Sequence, residues 1–390
     1  MSPVYLDCNA TTPVAPEAVA EMLDAMRHAW ANPSSTHAPG QAARRVLADA
    51  RARVAAFVGC QGSELVFTSG ATEANHMAVL GALAAARGTA RRRWLLSTVE
   101  HPGLMALARR LSAEGVAVGW LPVDRQGRLD LAEARAQIAE DVALVSVMGA
   151  NNETGVVMPV PELAEMARAQ GALLHVDATQ LPGKAALSFD ASGADLMALS
   201  AHKLGGPKGV GALVLRKGLT LAPLISGRQE RQRRGGTENL HGIVGFAAAC
   251  SQAAADLAAN LARMQALRER LEEGLLRALP GAVIFGREAE RLPNTSCLRF
   301  GALDAEQVLG RLERAGVVAS SGAACSGGGT QPSHVLLAMG QGAELARAGV
   351  RFSLGPWHTA DDIDRAIAAA ERAIGPLLAA ARPDTAAVTA

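Results

Sequence analysis

The chain has 390 residues, 49% of them hydrophobic and only 3% aromatic, with 38 lysines and arginines against 37 aspartates and glutamates. A chain of this length buries roughly three quarters of its unfolded surface and usually divides into two domains. A net charge of +1, with no basic block longer than Arg91-Arg92-Arg93, excludes the footprint of a nucleic-acid or membrane-surface protein and points to a small-molecule partner.

The opening MSPVYLDCNATT has no basic segment and reaches Asp7 before an apolar run can form, so no secretory signal is expected. The most apolar long stretch, 242–262, is interrupted by Gln252, Asp256 and Asn260 and falls short of a membrane span. Five cysteines (Cys8, Cys60, Cys250, Cys297 and Cys325) are scattered without a C-x-x-C pair. That fits a reducing cytoplasm and neither a disulfide framework nor a structural zinc site.

In chain order, residues 1–14 read as a short strand at VYL and a turn at NATTP, expected to pack with the C-terminal part. From about 64 to 215, short Val- and Leu-rich runs alternate with helical segments: ELVFTSG (64–70), WLLSTV (94–99), VAVGWLPV (116–123), ALVSVMGA (143–150), ALLHVDA (172–178), DLMALS (195–200) and VGALVLR (210–216). This alternation predicts a mainly parallel sheet flanked by helices. Beyond about 250 the pattern predicts one long helix over 251–278, then mixed strands and helices. The expected architecture is α/β, with a large domain over 15–250 and a smaller C-terminal α/β domain over 251–390.

The polar residues of interest fall at the ends of the predicted strands, where open parallel sheets place their ligand crevice. SGATEAN (69–75) follows a strand and opens a helix, which offers free N–H groups, with Thr72, to an anion; an ordinary capping turn reads the same way. Asp177 ends a buried strand and needs a cationic or N–H partner, or is a plain helix cap. In SAHKLGGPKGVG (200–211), Ser200, His202 and Lys203 stand at a strand end before glycines that let the backbone approach a ligand. A desolvated lysine there suits Schiff-base chemistry, whereas a surface lysine in a glycine-rich turn is the plainer reading. An anion cradle, a strand-end aspartate and a strand-end lysine together meet the requirements of pyridoxal phosphate. Cys325 lies in ASSGAACSGGGTQPSH (319–334), whose small residues predict a mobile loop; Cys60, Cys250 and Cys297 lie in apolar periodic segments and read as packing.

These motifs carry a resemblance. YLDCNATTPV, ANPSSTH, FTSGATEAN, EHPG, ANNETGVV, HVDATQ, SAHKLGGPKGVG, RRGGTEN, ASSGAACSGG and VRFSLG occur in the order and spacing of the pyridoxal-phosphate-dependent cysteine desulfurases of the NifS/IscS kind, within the class V aminotransferases. The resemblance runs nearly end to end and implies the fold type I architecture of pyridoxal-phosphate transferases. It implies that Lys203 captures the cofactor, that Asp177 pairs with the pyridine nitrogen, and that His101 stacks on the ring and shuttles a proton. Gln180 is then expected at the phenolic oxygen, and Ala71, Thr72, Ser200 and His202 at the phosphate. Thr237 is expected to reach the phosphate of a neighbouring subunit in a homodimer.

For the substrate, the resemblance implies that Arg351 holds the α-carboxylate of L-cysteine with Asn32 and Asn152, a role suited to its fork of donors. Cys325 becomes the thiol that takes sulfur as a persulfide and passes it to an iron–sulfur scaffold or another acceptor. Position 8 is Cys and position 76 is His where relatives carry other residues. His37, His76 and His241 receive no role. The ending AAARPDTAAVTA lacks the extended tail of housekeeping members, which points to a nitrogenase-type or otherwise specialised enzyme. A selenocysteine lyase, another class V aminotransferase and a non-catalytic sulfur-relay scaffold are the alternative readings.

Overall fold

The computed structural model describes residues 3–321 and 331–380. Cys325 lies outside the described residues. The seven predicted strands are all present: β1 (Leu65–Thr68), β2 (Arg93–Ser97), β3 (Ala117–Leu121), β4 (Val142–Met148), β5 (Leu173–Asp177), β6 (Leu196–Ser200) and β7 (Gly211–Leu215). They form one sheet in the order β1-β7-β6-β5-β4-β2-β3. Every pairing from β6 through β3 is parallel, and β7 alone runs antiparallel to its neighbours β6 and β1.

Side chains alternate across this sheet. Val66, Trp94, Leu144, Leu196 and Leu213 face α3 (Ala71–Ala85) and α4 (Pro102–Ala113). Phe67, Leu95, Val145, Met197 and Val214 share the other core with Leu47 and Val54 of α2 (Ala38–Val58) and Leu163 of α5 (Val160–Gln170). Both faces are covered, which is why the strands read as continuous apolar runs.

A second, antiparallel sheet has the order β10-β11-β9-β8, from β8 (Ala282–Ile284), β9 (Thr295–Phe300), β10 (Ser320–Ser321) and β11 (Val350–Ser353). Its core contains Phe300, Phe352 and Ile363 and also receives Val4 and Leu6, from the segment whose strand Val4–Tyr5 pairs with Val317–Val318. One feature departs from the sequence reading. The helix expected over 251–278 is broken at Asp256, where α6 (Leu240–Ala255) and α7 (Leu257–Ala278) meet at 76°. Cys297, Val335, Leu336 and Met339 pack into the core of the first sheet. Among the described residues no single helix is long and apolar enough to cross a membrane.

Candidate active site

A cavity of about 560 Å³ opens at the carboxyl ends of β1, β5 and β6 and is lined by Thr72, His101, Asp177, Gln180, Ser200, His202, Lys203, Asn152 and Arg351. Parallel strands end on one side and bring separate motifs to one edge. The single reversed strand, β7, is closely crossed there: a Cβ on Gly211 would lie 2.4 Å from Leu199 O and 2.7 Å from Gly70 Cα. Glycine at 211 therefore lets the turn before α3 lie against the sheet.

Asp177 is only 6% exposed and is well supplied with donors. Asn75 Nδ2 donates to its Oδ2 at 2.7 Å, and Thr179 donates to its Oδ1 through the backbone N–H at 3.0 Å and through its hydroxyl. Behind Asn75 the bonds run one way. Trp94 Nε1–H donates to Ser146 Oγ (2.9 Å), Ser146 faces His175 Nδ1 (3.1 Å), and His175 Nε2 faces Asn75 Oδ1 (3.0 Å). Asn75 turns its NH₂ to Asp177, so its oxygen must accept; His175 therefore carries its proton on Nε2, and its bare Nδ1 accepts from the Ser146 hydroxyl. Burial holds His175 neutral, its pKa pushed down to about 4. The carboxylate thus ends a chain of neutral donors.

Lys203 follows β6 in a single turn of 3₁₀-helix and its Nζ donates to Asn9 O (2.6 Å) and Ala10 O (2.7 Å). The same Asn9 carbonyl accepts from Gln180 Nε2 at 3.1 Å. Asn9 also joins both sheets, because its Nδ2 donates to Thr295 Oγ1 (2.8 Å) and Asn152 O (3.2 Å). Asn9, Asn75 and Lys184 were not singled out in the sequence.

His101 is the N-cap of α4, its Nδ1 accepting from Gly103 N at 3.1 Å. That bond places the proton of the neutral ring on Nε2, so the imidazole offers a donor; taking a further proton requires breaking the cap. Burial, with Lys203 and His334 nearby, lowers its pKa, and Asp177 opposes them. The preceding Glu100 is fully buried, accepts from Ser97 Oγ (2.5 Å) and Met148 N (2.7 Å) through Oε1, and leaves Oε2 without a partner. Desolvation pushes its pKa up to about 8.

At the other end of the cavity α3 starts from Gly70 with no side-chain cap, so its first-turn N–H groups around Ala71 and Thr72 have no intrahelical acceptors. His202 Nδ1 lies 3.1 Å from Thr11 Oγ1, and burial beside Lys203, Lys208 and Lys184 pushes its pKa down to about 4. A neutral donor ring, a hydroxyl at Ser200 and a helix N-terminus together suit a phosphate.

Arg351, 4% exposed, donates to Asp7 Oδ1 (2.6 Å) and Asn152 O (3.0 Å), while its buried Nε has no partner among the described residues. Two of the expected site residues are not brought to this cavity. Asn32 is exposed, its Oδ1 accepting from Ser34 N at 2.8 Å, and Thr237 is exposed on the loop before α6. His37 and His76 make local bonds, to Gly40 N and Thr72 O. The segment that bears Cys325 is flanked by residues at the site. Ser320 lines the cavity, and His334 Nε2 donates to Glu100 O at 2.9 Å, next to His101.

A carboxylate held by neutral donors, a lysine and an arginine lining the same cavity, and an uncapped helix N-terminus fit pyridoxal phosphate and an amino-acid substrate. Residues 4–366 match the aminotransferase class-V family. The chain belongs to this family of pyridoxal-phosphate-dependent enzymes of fold type I. Cysteine desulfurase from Cereibacter sphaeroides is 48% identical over 368 residues, 94% of each chain, and that from Bradyrhizobium diazoefficiens is 44% identical over 98% of this chain and 97% of its own. Among solved structures, a NifS-like protein superposes with a TM-score of 0.90 at 34% identity, over 96% of this chain and 99% of its own. DndA from Streptomyces lividans superposes with a TM-score of 0.76 at 35% identity, over 88% and 97%. Within the class V family the chain is a member of the cysteine desulfurases of the NifS/IscS kind.

Proposed function

We propose that the protein is a cysteine desulfurase in which L-cysteine and the thiol of Cys325 are converted to L-alanine and a persulfide on Cys325. The observation that carries this reading is that one cavity unites Asp177, Lys203 and Arg351 and is lined by Ser320, on one flank of the Cys325 segment, while His334 on the other flank is bonded to Glu100 O beside His101.

Pyridoxal phosphate, when bound, supplies an electron sink for charge that develops at the α-carbon of the substrate. The protein's residues divide the remaining tasks. Asp177, fixed by Asn75 and Thr179, would set its carboxylate against the ring nitrogen, and Lys203 Nζ would be the amine that holds the aldehyde. Ala71, Thr72, Ser200 and His202 would hold the phosphate, Gln180 would offer a donor to the phenolic oxygen, and His101 would line the space for the ring. Arg351 and Asn152, both in the cavity lining, would orient the substrate's carboxylate. The Cys325 thiolate attacks the substrate sulfur: an S–S bond forms as the carbon–sulfur bond breaks, and the pair left on carbon is protonated to make the methyl group of alanine.

The working unit in this reading is a cytoplasmic homodimer. Thr237, exposed and away from its own chain's cavity, completes the phosphate site of the partner. A surface for the second copy is offered by α1 (Pro16–His28), which exposes Val19, Leu23 and Met26 on one face, followed by Trp30 at 76% exposure. The persulfide goes to an iron–sulfur scaffold, nitrogenase-type or other, or to another sulfur acceptor. The reading is tested by adding pyridoxal phosphate to the protein and to Lys203→Ala: after borohydride reduction the cofactor stays attached to the wild type and washes out of the variant. Equal retention by both would refute the assignment of Lys203.

A further inference from the structure

Lys184 belongs to none of the motifs that carry the resemblance, yet it is only 5% exposed and its Nζ donates to Gln180 Oε1 at 2.6 Å and to Asn9 Oδ1 at 3.1 Å. An ammonium has three donors and no acceptor, so an amide set against it must present oxygen. Gln180 then has its NH₂ turned the other way, where one N–H is used by Asn9 O at 3.1 Å and the second is left for the cavity that Gln180 lines. The opposite rotamer would set NH₂ against the ammonium and oxygen against the Asn9 carbonyl, two repulsive contacts at once. Asn9 is fixed by the same logic. Its Oδ1 faces Lys184 and Asn294 Nδ2 (3.1 Å), and its carbonyl is free to accept from both Gln180 and Lys203.

We propose that Lys184 is a positioning residue that locks the Gln180 amide with an N–H donor toward the cavity, so that this wall selects an anionic oxygen, the phenolate of the cofactor ring. The inference rests on the cofactor assignment above. Burial, with Lys203 close by, pushes the Lys184 pKa down to about 7, and below that pH the ammonium holds its two acceptors from outside the cavity: its own surroundings include Cys8 and a separate cavity of about 510 Å³ that it helps to line.

The test is a titration of the apoenzyme with pyridoxal 5′-phosphate, followed by the visible band of the bound cofactor, for wild type, Lys184→Met, Lys184→Arg, Gln180→Ala and the Met/Ala double variant, with apoprotein melting measured alongside. Lys184→Met is expected to weaken cofactor binding roughly tenfold and to move the pH at which the band half-converts, Lys184→Arg to restore most of both, and Lys184→Met to add less than about twofold in the Gln180→Ala background. If Lys184→Met does not fold, Lys184→Gln, which keeps a donor, replaces it with binding near that of wild type expected. An unchanged affinity and band in Lys184→Met, a tenfold loss in Lys184→Gln, or full additivity with Gln180→Ala would overturn the proposal. A wild-type protein that develops no band would refute the cofactor assignment itself and this inference with it.

Discussion

Asn75 donates to Asp177 Oδ2 across 2.7 Å while its own oxygen is held by His175, so the orientation of one carboxylate depends on a chain of buried groups that starts at Trp94. Each member leaves its neighbour a single choice of donor and acceptor. Replacing Asn75 by Ala removes one donor from a buried carboxylate, a loss of about 1–3 kcal/mol. The cofactor dissociation constant is expected to rise roughly tenfold to a hundredfold, read by titration of the visible band, and His175→Phe to show a smaller change in the same direction. An Asn75→Ala protein with wild-type affinity would mean that Thr179 alone suffices to hold Asp177.

Glu100 carries a pH signature. Its carboxyl is raised from 4.5 to about 8 by desolvation, so the folded protein binds a proton that the unfolded chain releases near 4.5. This contribution to stability is complete below about 4.5, declines as the pH rises, and is lost through about 8. Glu100→Gln keeps an acceptor for Met148 N–H and does not ionise. Its melting temperature is expected to fall less between pH 5 and pH 8 than that of the wild type, measured by calorimetry in matched buffers. Parallel curves for the two proteins would show that the carboxyl does not titrate in that window.

The exposed face of α1 and Trp30 bears on assembly. Trp30→Asp places a charge where the proposed dimer buries an indole, and the variant is expected to sediment with half the mass of the wild type. Because Thr237 is then withdrawn from the neighbouring site, its cofactor affinity is expected to fall as well. A monomeric wild type, or a monomeric variant with unchanged cofactor affinity, would separate Thr237 from the site.

Much of this arrangement was legible in the sequence, and the reasons are local. All seven strands of the main sheet announce themselves as Val- and Leu-rich runs closed by polar residues, and parallel topology gathers their ends, so Asp177, Ser200, His202 and Lys203 meet as expected. What escaped is held by long-range contacts. Asn9 reads as a turn residue in LDCNATT, although it joins Lys203 to Thr295 across the fold. Lys184 sits in LPGKAAL, where a lysine is ordinarily a surface residue, and nothing local signals its burial. The bend at Asp256 was hidden because Ala, Leu, Arg and Glu continue helical periodicity on both sides of it. Asn32 and Thr237 matched family motifs, but a motif does not say which cavity, or whose, its residues face.

The account turns on the thiol of Cys325, and the most direct measurement is a paired assay of alanine and of sulfide released by reductant, from L-cysteine, with wild type and Cys325→Ala, both loaded with cofactor. The wild type is expected to make the two products in equal amounts, and the variant to make neither while keeping its visible band. Equal turnover by both proteins, or a cofactor-loaded wild type that makes no alanine, would contradict it.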